Sequence, residues 1–215
     1  MKFKKALVTG GAGFIGSHIV ESLLSKGIKV VVLDDFSMGR RENIPSNAVV
    51  VEGDVLDVDK VNLALEGVDI VFHQAAKVSI RSSVAEFYKD AQTNIMGTIN
   101  IWQAMKDHKV RKFIYASSMA VYGNSKYLPL DEEHPKEPIS PYGISKLAGE
   151  KYCLNLGGQM GIDTVVLRYF NTYGPRQTLT PYVGVITIFI NRLLENKPPI
   201  IFGDGTQVRD FISVK

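Results

Sequence analysis

The chain has 215 residues, 45% apolar and 22% charged, with a formal net charge of +3, enough to bury one good core and begin a second lobe. The Lys and Arg excess is interspersed and forms no basic block, which argues against nucleic acid or an anionic membrane as partner and leaves a modest pull on anionic substrates. The single cysteine, Cys153, excludes an intramolecular disulfide, no Cys/His cluster has metal-ligand spacing, and no apolar run reaches membrane-spanning length, so a protein of the reducing cytoplasm without a metal is expected.

The first strand-like run, 6–9, leads through Gly10-Gly11-Ala12-Gly13-Phe14-Ile15-Gly16 into a helix over 14–26. Gly10 permits the tight turn, Gly13 removes the side chain that would block backbone approach to phosphates, and Gly16 lets the helix press on the strand. The helix N-terminus adds N–H groups and a positive dipole end, so the turn reads as a seat for a dinucleotide diphosphate. Glycine spacing alone is weak evidence, and the context strengthens it. Ile15, Ile19, Val20, Leu23 and Leu24 recur at helical spacing, Gly27 ends the helix, and 28–33 is the continuous apolar run of a buried parallel strand. That run stops at Asp34-Asp35, about 20 residues past the glycines, where an acid accepts hydrogen bonds from the adenosine ribose and repels a 2'-phosphate, favouring NAD. Arg40 and Arg41 follow closely and keep NADP open.

Further strands at 48–52, 69–73, 112–117 and 164–169 alternate with helices at 57–66, 84–108, 142–160 and 183–196, the signature of an α/β, Rossmann-type doubly wound parallel sheet. After Asn171 the alternation loosens among Gly174-Pro175, Pro181, Pro198-Pro199 and Gly203-Asp204-Gly205. Residues 1–170 are thus expected to form the dinucleotide-binding domain, and 171–215 the start of a smaller lobe. Ligands of open parallel sheets bind beyond the carboxyl ends of the strands, which selects Asp54-Val55, His73-Gln74-Ala75-Ala76, Ser117-Ser118 and Asn171. Asp54 would meet an adenine amine or, equally, cap the next helix. Ala75 and Ala76 are small enough to let a cofactor pass, and a lone His73 beside them reads as hydrogen-bonded scaffold rather than a base.

Two Tyr-x-x-x-Lys matches occur, Tyr122 to Lys126 and Tyr142 to Lys146. The first lies in turn chemistry, whereas Ser140-Pro141 supplies an N-cap and first helical position that put Tyr142 and Lys146 one turn apart on one face. A cation beside a phenol favours phenolate, so Lys146 and a bound positive nicotinamide would pull Tyr142 below its usual value and make it a general base. Ser118 would bridge the tyrosine and a substrate hydroxyl.

Thr9 to Gly16, Ser117-Ser118-Met119-Ala120-Val121-Tyr122-Gly123, Pro141 to Lys146 and Arg168-Tyr169-Phe170-Asn171 together resemble the extended short-chain dehydrogenase/reductase superfamily. Within it the chain is similar to the NAD-dependent epimerase/dehydratase family, specifically its nucleotide-sugar 4-epimerases of the UDP-glucose type. The resemblance runs through all 215 residues. It implies NAD held by Gly10, Gly13, Phe14, Ile15, Gly16, Asp34, Asp35, Asp54, Val55, Gln74, Ala75, Ala76, Asn94, Tyr142, Lys146 and Tyr169. It also implies a catalytic trio of Ser118, Tyr142 and Lys146, and a UDP-sugar contacted by Ser118, Tyr142, Asn171 and Arg209. Members of the family usually run on for roughly another hundred residues, so the substrate lobe over 171–215 is expected to be truncated.

A 4,6-dehydratase needs an acid immediately after the active-site hydroxyl residue, and Met119 and Ala120 stand there, which weakens the dehydratase and decarboxylase alternatives. A non-catalytic NAD sensor is the alternative from another class. Related proteins form homodimers through the helices before Ser118 and after Ser140. Phe87, Ile95, Ile99, Trp102 and Met105 would line that face or simply cover the sheet.

Overall fold

The computed structural model of the chain describes residues 3–178 and 184–215. Six strands, β1 (Lys5–Thr9), β2 (Lys29–Asp34), β3 (Val49–Glu52), β4 (Ile70–His73), β5 (Lys112–Ser118) and β6 (Asp163–Tyr169), form one sheet in the order β3-β2-β1-β4-β5-β6. Every neighbouring pair is parallel. This is the doubly wound order whose direction reverses between β1 and β4, and that switch point opens a crevice at the strands' carboxyl ends.

The central strands β1, β2 and β4 are largely apolar because both of their faces are covered. Ala6, Val8, Val30, Val32 and Ile70 pack with Val20 and Leu23 of α1 (Phe14–Ser25). The alternate residues Leu7, Val31, Leu33, Val71 and Phe113 pack on the other face with α2 (Val58–Leu65), α5 (Gly97–Met105) and α6 (Pro141–Met160). Trp102 and Met105 are buried in that second core, so of the two alternatives for them the structure takes covering the sheet. Phe87, by contrast, is exposed.

The single helix expected over 84–108 is instead broken. The structure has α3 (Ile80–Ala85), α4 (Phe87–Ala91), a widened π turn over Gln92–Met96, and then α5. Glu86 leaves helical geometry at φ −123° and ψ 43°, which separates α3 from α4. The π turn carries Asn94, whose side chain bonds outward to three other segments, and π bulges of this kind gather at functional sites. Two further strands, β7 (Asn171–Tyr173) and β8 (Phe211–Ser213), pair in parallel as a separate two-stranded sheet and were not anticipated. The expected helix at 183–196 is α7 (Val185–Leu194), and residue 183 lies outside the described residues.

Helix α6 begins where Ser140 Oγ accepts the Gly143 N–H at 3.1 Å with Pro141 in the first turn, and ends at Gly161 in the left-handed region, φ 65°. Its buried stripe is Tyr142, Ser145, Lys146, Gly149, Glu150, Cys153 and Gly157, mostly polar or without a side chain. A Cβ at Gly149 would stand 2.1 Å from Tyr115 Oη, and one at Gly157 2.1 Å from Thr164 Oγ1. Gly158, on the same helix, faces open space. Gly149→Ala is therefore expected to lower unfolding free energy by about 1–3 kcal/mol through overpacking. Gly158→Ala should raise it by up to about 1 kcal/mol through helix propensity. Urea denaturation of both variants checks the pair, and equal effects would contradict the packing argument.

Candidate functional site

Gly10 sits at φ +66°, and a Cβ there would meet Ala75 N at 2.7 Å, so the turn after β1 closes directly against the loop after β4. A Cβ at Gly16 would lie 2.2 Å from Gly10 O, which fixes how tightly α1 packs on the turn. Gly13 is different, because a Cβ there would approach only Gly10 O, at 3.2 Å. Gly13 is also the N-cap of α1 and gives it no side-chain cap. The first-turn N–H groups of Phe14, Ile15 and Gly16 are left for an anion at the positive end of the helix. This open face and the uncapped donors fit a dinucleotide diphosphate.

Asp34 is buried, and its carboxylate accepts the Ala12 N–H and the Phe36 N–H, each at 2.9 Å. Burial pushes its pKa up while those two N–H groups hold it down. It therefore shapes the glycine turn while keeping spare lone pairs at the mouth of β2. Asp35 is exposed and bonds to Ser37. Arg41 is turned away to Glu52 and the Phe36 ring. The capping alternative for Asp54 is corrected, since Asp57 caps α2 through the Asp59 and Lys60 N–H groups. Asp54 accepts the Leu56 N–H within its own loop. Val55 is core, packed against Gly97. Gln74 follows β4 with its Nε2 buried, beside the Tyr169 phenol. Ala75 and Ala76 follow it, and Tyr169, whose phenol burial pushes up, closes β6.

His73 is buried, with both ring nitrogens engaged. Nε2 lies 2.9 Å from Thr98 Oγ1 and Nδ1 2.7 Å from Thr9 Oγ1. Thr98 donates its hydroxyl proton to Asn94 O at 2.7 Å, so His73 Nε2–H must donate to Thr98 and Nδ1 must accept from Thr9. Burial and the nearby Lys146 push its pKa down to about 3. The ring is a neutral strut, as the scaffold reading expected.

Asn94, expected to touch the cofactor, has its side chain spent within the protein. Oδ1 accepts the Lys77 N–H at 2.8 Å, and Nδ2 donates to Lys77 O, Asp90 Oδ1 and Ser145 Oγ. It ties the loop after β4 to α4 and α6.

Tyr142 and Lys146 lie one turn apart on the buried stripe of α6, and Ser118 ends β5 within hydrogen-bond reach of the Tyr142 phenol. The competing pair is not brought together in this way. Tyr122 is held by Arg168, and Lys126 pairs with Glu137. Lys146 Nζ lies 4.8 Å from the Tyr115 ring centroid, and burial lowers its pKa to about 8. Burial pushes the Tyr142 phenol above its usual value, the Ser118 hydroxyl opposes this, and the Asp90 carboxylate adds to the upward push. The Tyr142 N–H donates to Ser83 Oγ at 3.1 Å, a clamp from α3 that no spacing in the sequence announced.

On the far side of the crevice Asn171 Nδ2 donates to Asp210 O at 2.9 Å, and Asn171 pairs with Phe211 across β7 and β8. Arg209 is the neighbour of Asp210 and is exposed, so the small sheet brings the two expected substrate residues to one edge.

The family model for the NAD dependent epimerase/dehydratase family matches residues 6–215. A Methanocaldococcus jannaschii protein, provisionally named a UDP-glucose 4-epimerase, is 47% identical over 97% of this chain and 69% of its own. The crystal structure of the Thermotoga maritima UDP-glucose 4-epimerase with UDP-glucose superposes with a TM-score of 0.93 at 41% identity, covering 98% of this chain and 69% of that one. The Methanobrevibacter ruminantium UDP-N-acetylglucosamine 4-epimerase, in complex with UDP-N-acetylmuramic acid, gives 0.94 at 42%, covering 100% and 70%. Relatives named for dehydration, decarboxylation and UDP-glucuronic acid 4-epimerisation also match.

Because His73 titrates near 3 when folded and near 6.5 when unfolded, the unfolded chain binds the extra proton between those values. Stability therefore falls as pH drops below 6.5, and by pH 4.5 this group alone accounts for about 2–3 kcal/mol. Urea unfolding at pH 7 and 4.5 is expected to show that slope in the wild type and a flatter one in His73→Gln. Parallel curves would contradict the neutral-strut assignment.

Proposed function

The chain belongs to the NAD-dependent epimerase/dehydratase family, and from that membership we propose that it inverts C4 of a UDP-hexose of the UDP-glucose/UDP-galactose type. The observation that carries the reading is the convergence of Ser118, Tyr142 and Lys146 beside the carboxyl end of β5, with Met119 and Ala120 following the serine. Neither of those two side chains transfers a proton, which sets elimination chemistry behind epimerisation.

The Gly13, Phe14 and Ile15 turn would hold the dinucleotide diphosphate, and Asp34, Asp35 and Asp54 would hold its adenosine. When bound, NAD supplies a two-electron acceptor that takes hydride from C4 and gives it back, so no external oxidant is consumed. Tyr142, as phenolate, removes the C4 hydroxyl proton directly or through Ser118. Lys146 stabilises the phenolate with its ammonium. Asn171 and Arg209 hold the diphosphate of the substrate while the 4-keto ring turns over, so that the hydride returns to the opposite face of C4 as Tyr142 gives the proton back to the C4 oxygen. Residues 171–215 are the start of the substrate lobe in this reading, supported by the pairing of β7 with β8. Exposed Phe87, Tyr88, Ile144 and Tyr152 on α4 and α6 support a homodimer.

The test is incubation of the complete protein with NAD and UDP-galactose, UDP-N-acetylgalactosamine or UDP-galacturonate, followed by NMR. The C4 epimer of one of them is expected, and Tyr142→Phe should lower its rate by about 10²–10⁴-fold with NAD still bound. A fully active Phe variant would remove Tyr142 as the base. An NAD-loaded protein that converts none of the three would favour the dehydratase, decarboxylase or sensor alternatives.

A further inference from the structure

Behind the proposed trio lies a buried ion pair that the chemistry above does not use. Glu150 follows Lys146 by one turn of α6, and its side chain is 2% exposed, against 18% for Arg168 of β6. The guanidinium meets the carboxylate as a fork, Nε to Oε1 and Nη2 to Oε2, both at 2.9 Å. Ser117 Oγ donates to the same Oε1 at 2.5 Å. The remaining nitrogen, Nη1, donates to Tyr122 Oη at 2.9 Å and to Glu132 O at 3.2 Å.

These bonds join α6, the end of β5, the end of β6 and the segment that leaves β5 after Ser118. In the β5–β6 register Arg168 stands opposite Ser117, and Tyr169 opposite Ser118. Tyr122 packs edge-on against His134, ring centroids 5.5 Å apart, and His134 Nε2 in turn accepts the Lys126 N–H at 2.9 Å. Arg168 therefore fastens the 119–139 segment at two points. A bidentate guanidinium is directional, and an ammonium at its place would keep the charge but lose the fork and the third arm.

We propose that Glu150 and Arg168 are positioning residues that set Ser118, and the 119–139 segment after it, against Tyr142 and Lys146. Ser117 fixes its neighbour Ser118 from one side. Glu150 fixes Tyr142 from the other, two turns away on the same helix, so the fork determines the separation of hydroxyl and phenol. The inference rests on the reading of that trio as the reacting site.

The test uses the complete protein with Arg168→Lys, Ser117→Ala and Tyr122→Phe, the last two each removing one hydrogen bond and leaving the ion pair. Arg168→Lys is expected to lower kcat about 10- to 100-fold, with KM for the UDP-sugar changed less than about 3-fold and NAD content unchanged. The two milder variants should lower kcat by about 3- to 10-fold on the same pattern. Crystal structures should show Ser118 displaced from Tyr142. The proposal is overturned by folded variants with wild-type kcat, by losses shared between kcat and KM that track melting temperature, or by an unchanged Ser118–Tyr142 separation. If the wild type converts no UDP-sugar, the functional reading has failed, and the separation in the crystal structures alone decides for or against positioning.

Discussion

A lysine buried between sheet and helix constrains everything around it. Lys146 is 3% exposed, and a cation there must be compensated, since desolvation otherwise drives off its proton. Asp90 from α4 and Glu150 from its own helix supply negative charge, and the Tyr115 ring offers its face. Glu150 in turn requires Arg168, and Tyr115 requires that position 149 carry no side chain. Helix α6 cannot be an ordinary amphipathic helix, because its inward face is occupied by charges, hydroxyls and glycines.

The diphosphate seat and this helix belong to one hydrogen-bonded frame. The Ala75 N–H donates to Thr9 Oγ1, Thr9 to His73, His73 to Thr98, and Thr98 to Asn94 O. The Asn94 amide then donates to Ser145 Oγ, which itself donates to Tyr142 O. The glycine turn's neighbour Ala75 and the residue Tyr142 are thereby kept in fixed relation by one chain of hydrogen bonds. Such preorganisation leaves little reorganisation to be done during reaction.

The parts of this arrangement legible in the sequence are those that use local rules. Continuous apolar strands, the glycine turn, the Ser140-Pro141 helix start and the Tyr142–Lys146 spacing each follow from backbone geometry within one element, and all four stand in the structure. The breaks at Glu86 and Gln92–Met96 carry no Gly or Pro signal, because they arise from what Asn94 must reach across the fold. The bonds of Asn94 and the upward push on Tyr142 have the same origin, as both depend on segments far away in the chain. Trp102 and Met105 recur at helical spacing, but which face they turn to the sheet is settled only by packing.

This frame holds Tyr142 as a phenol whose burial opposes ionisation, and in the proposed reaction the positive charge arriving with the oxidised cofactor makes it a base. The most direct measurement is the ionisation of Tyr142, followed by NMR of ¹³C-labelled tyrosine and assigned with Tyr142→Phe, before and after NAD⁺ is added. The account predicts titration above the usual value of about 10 without NAD⁺ and a fall of about two units or more with it. An unperturbed phenol in the first state, or no movement between the two, would contradict it.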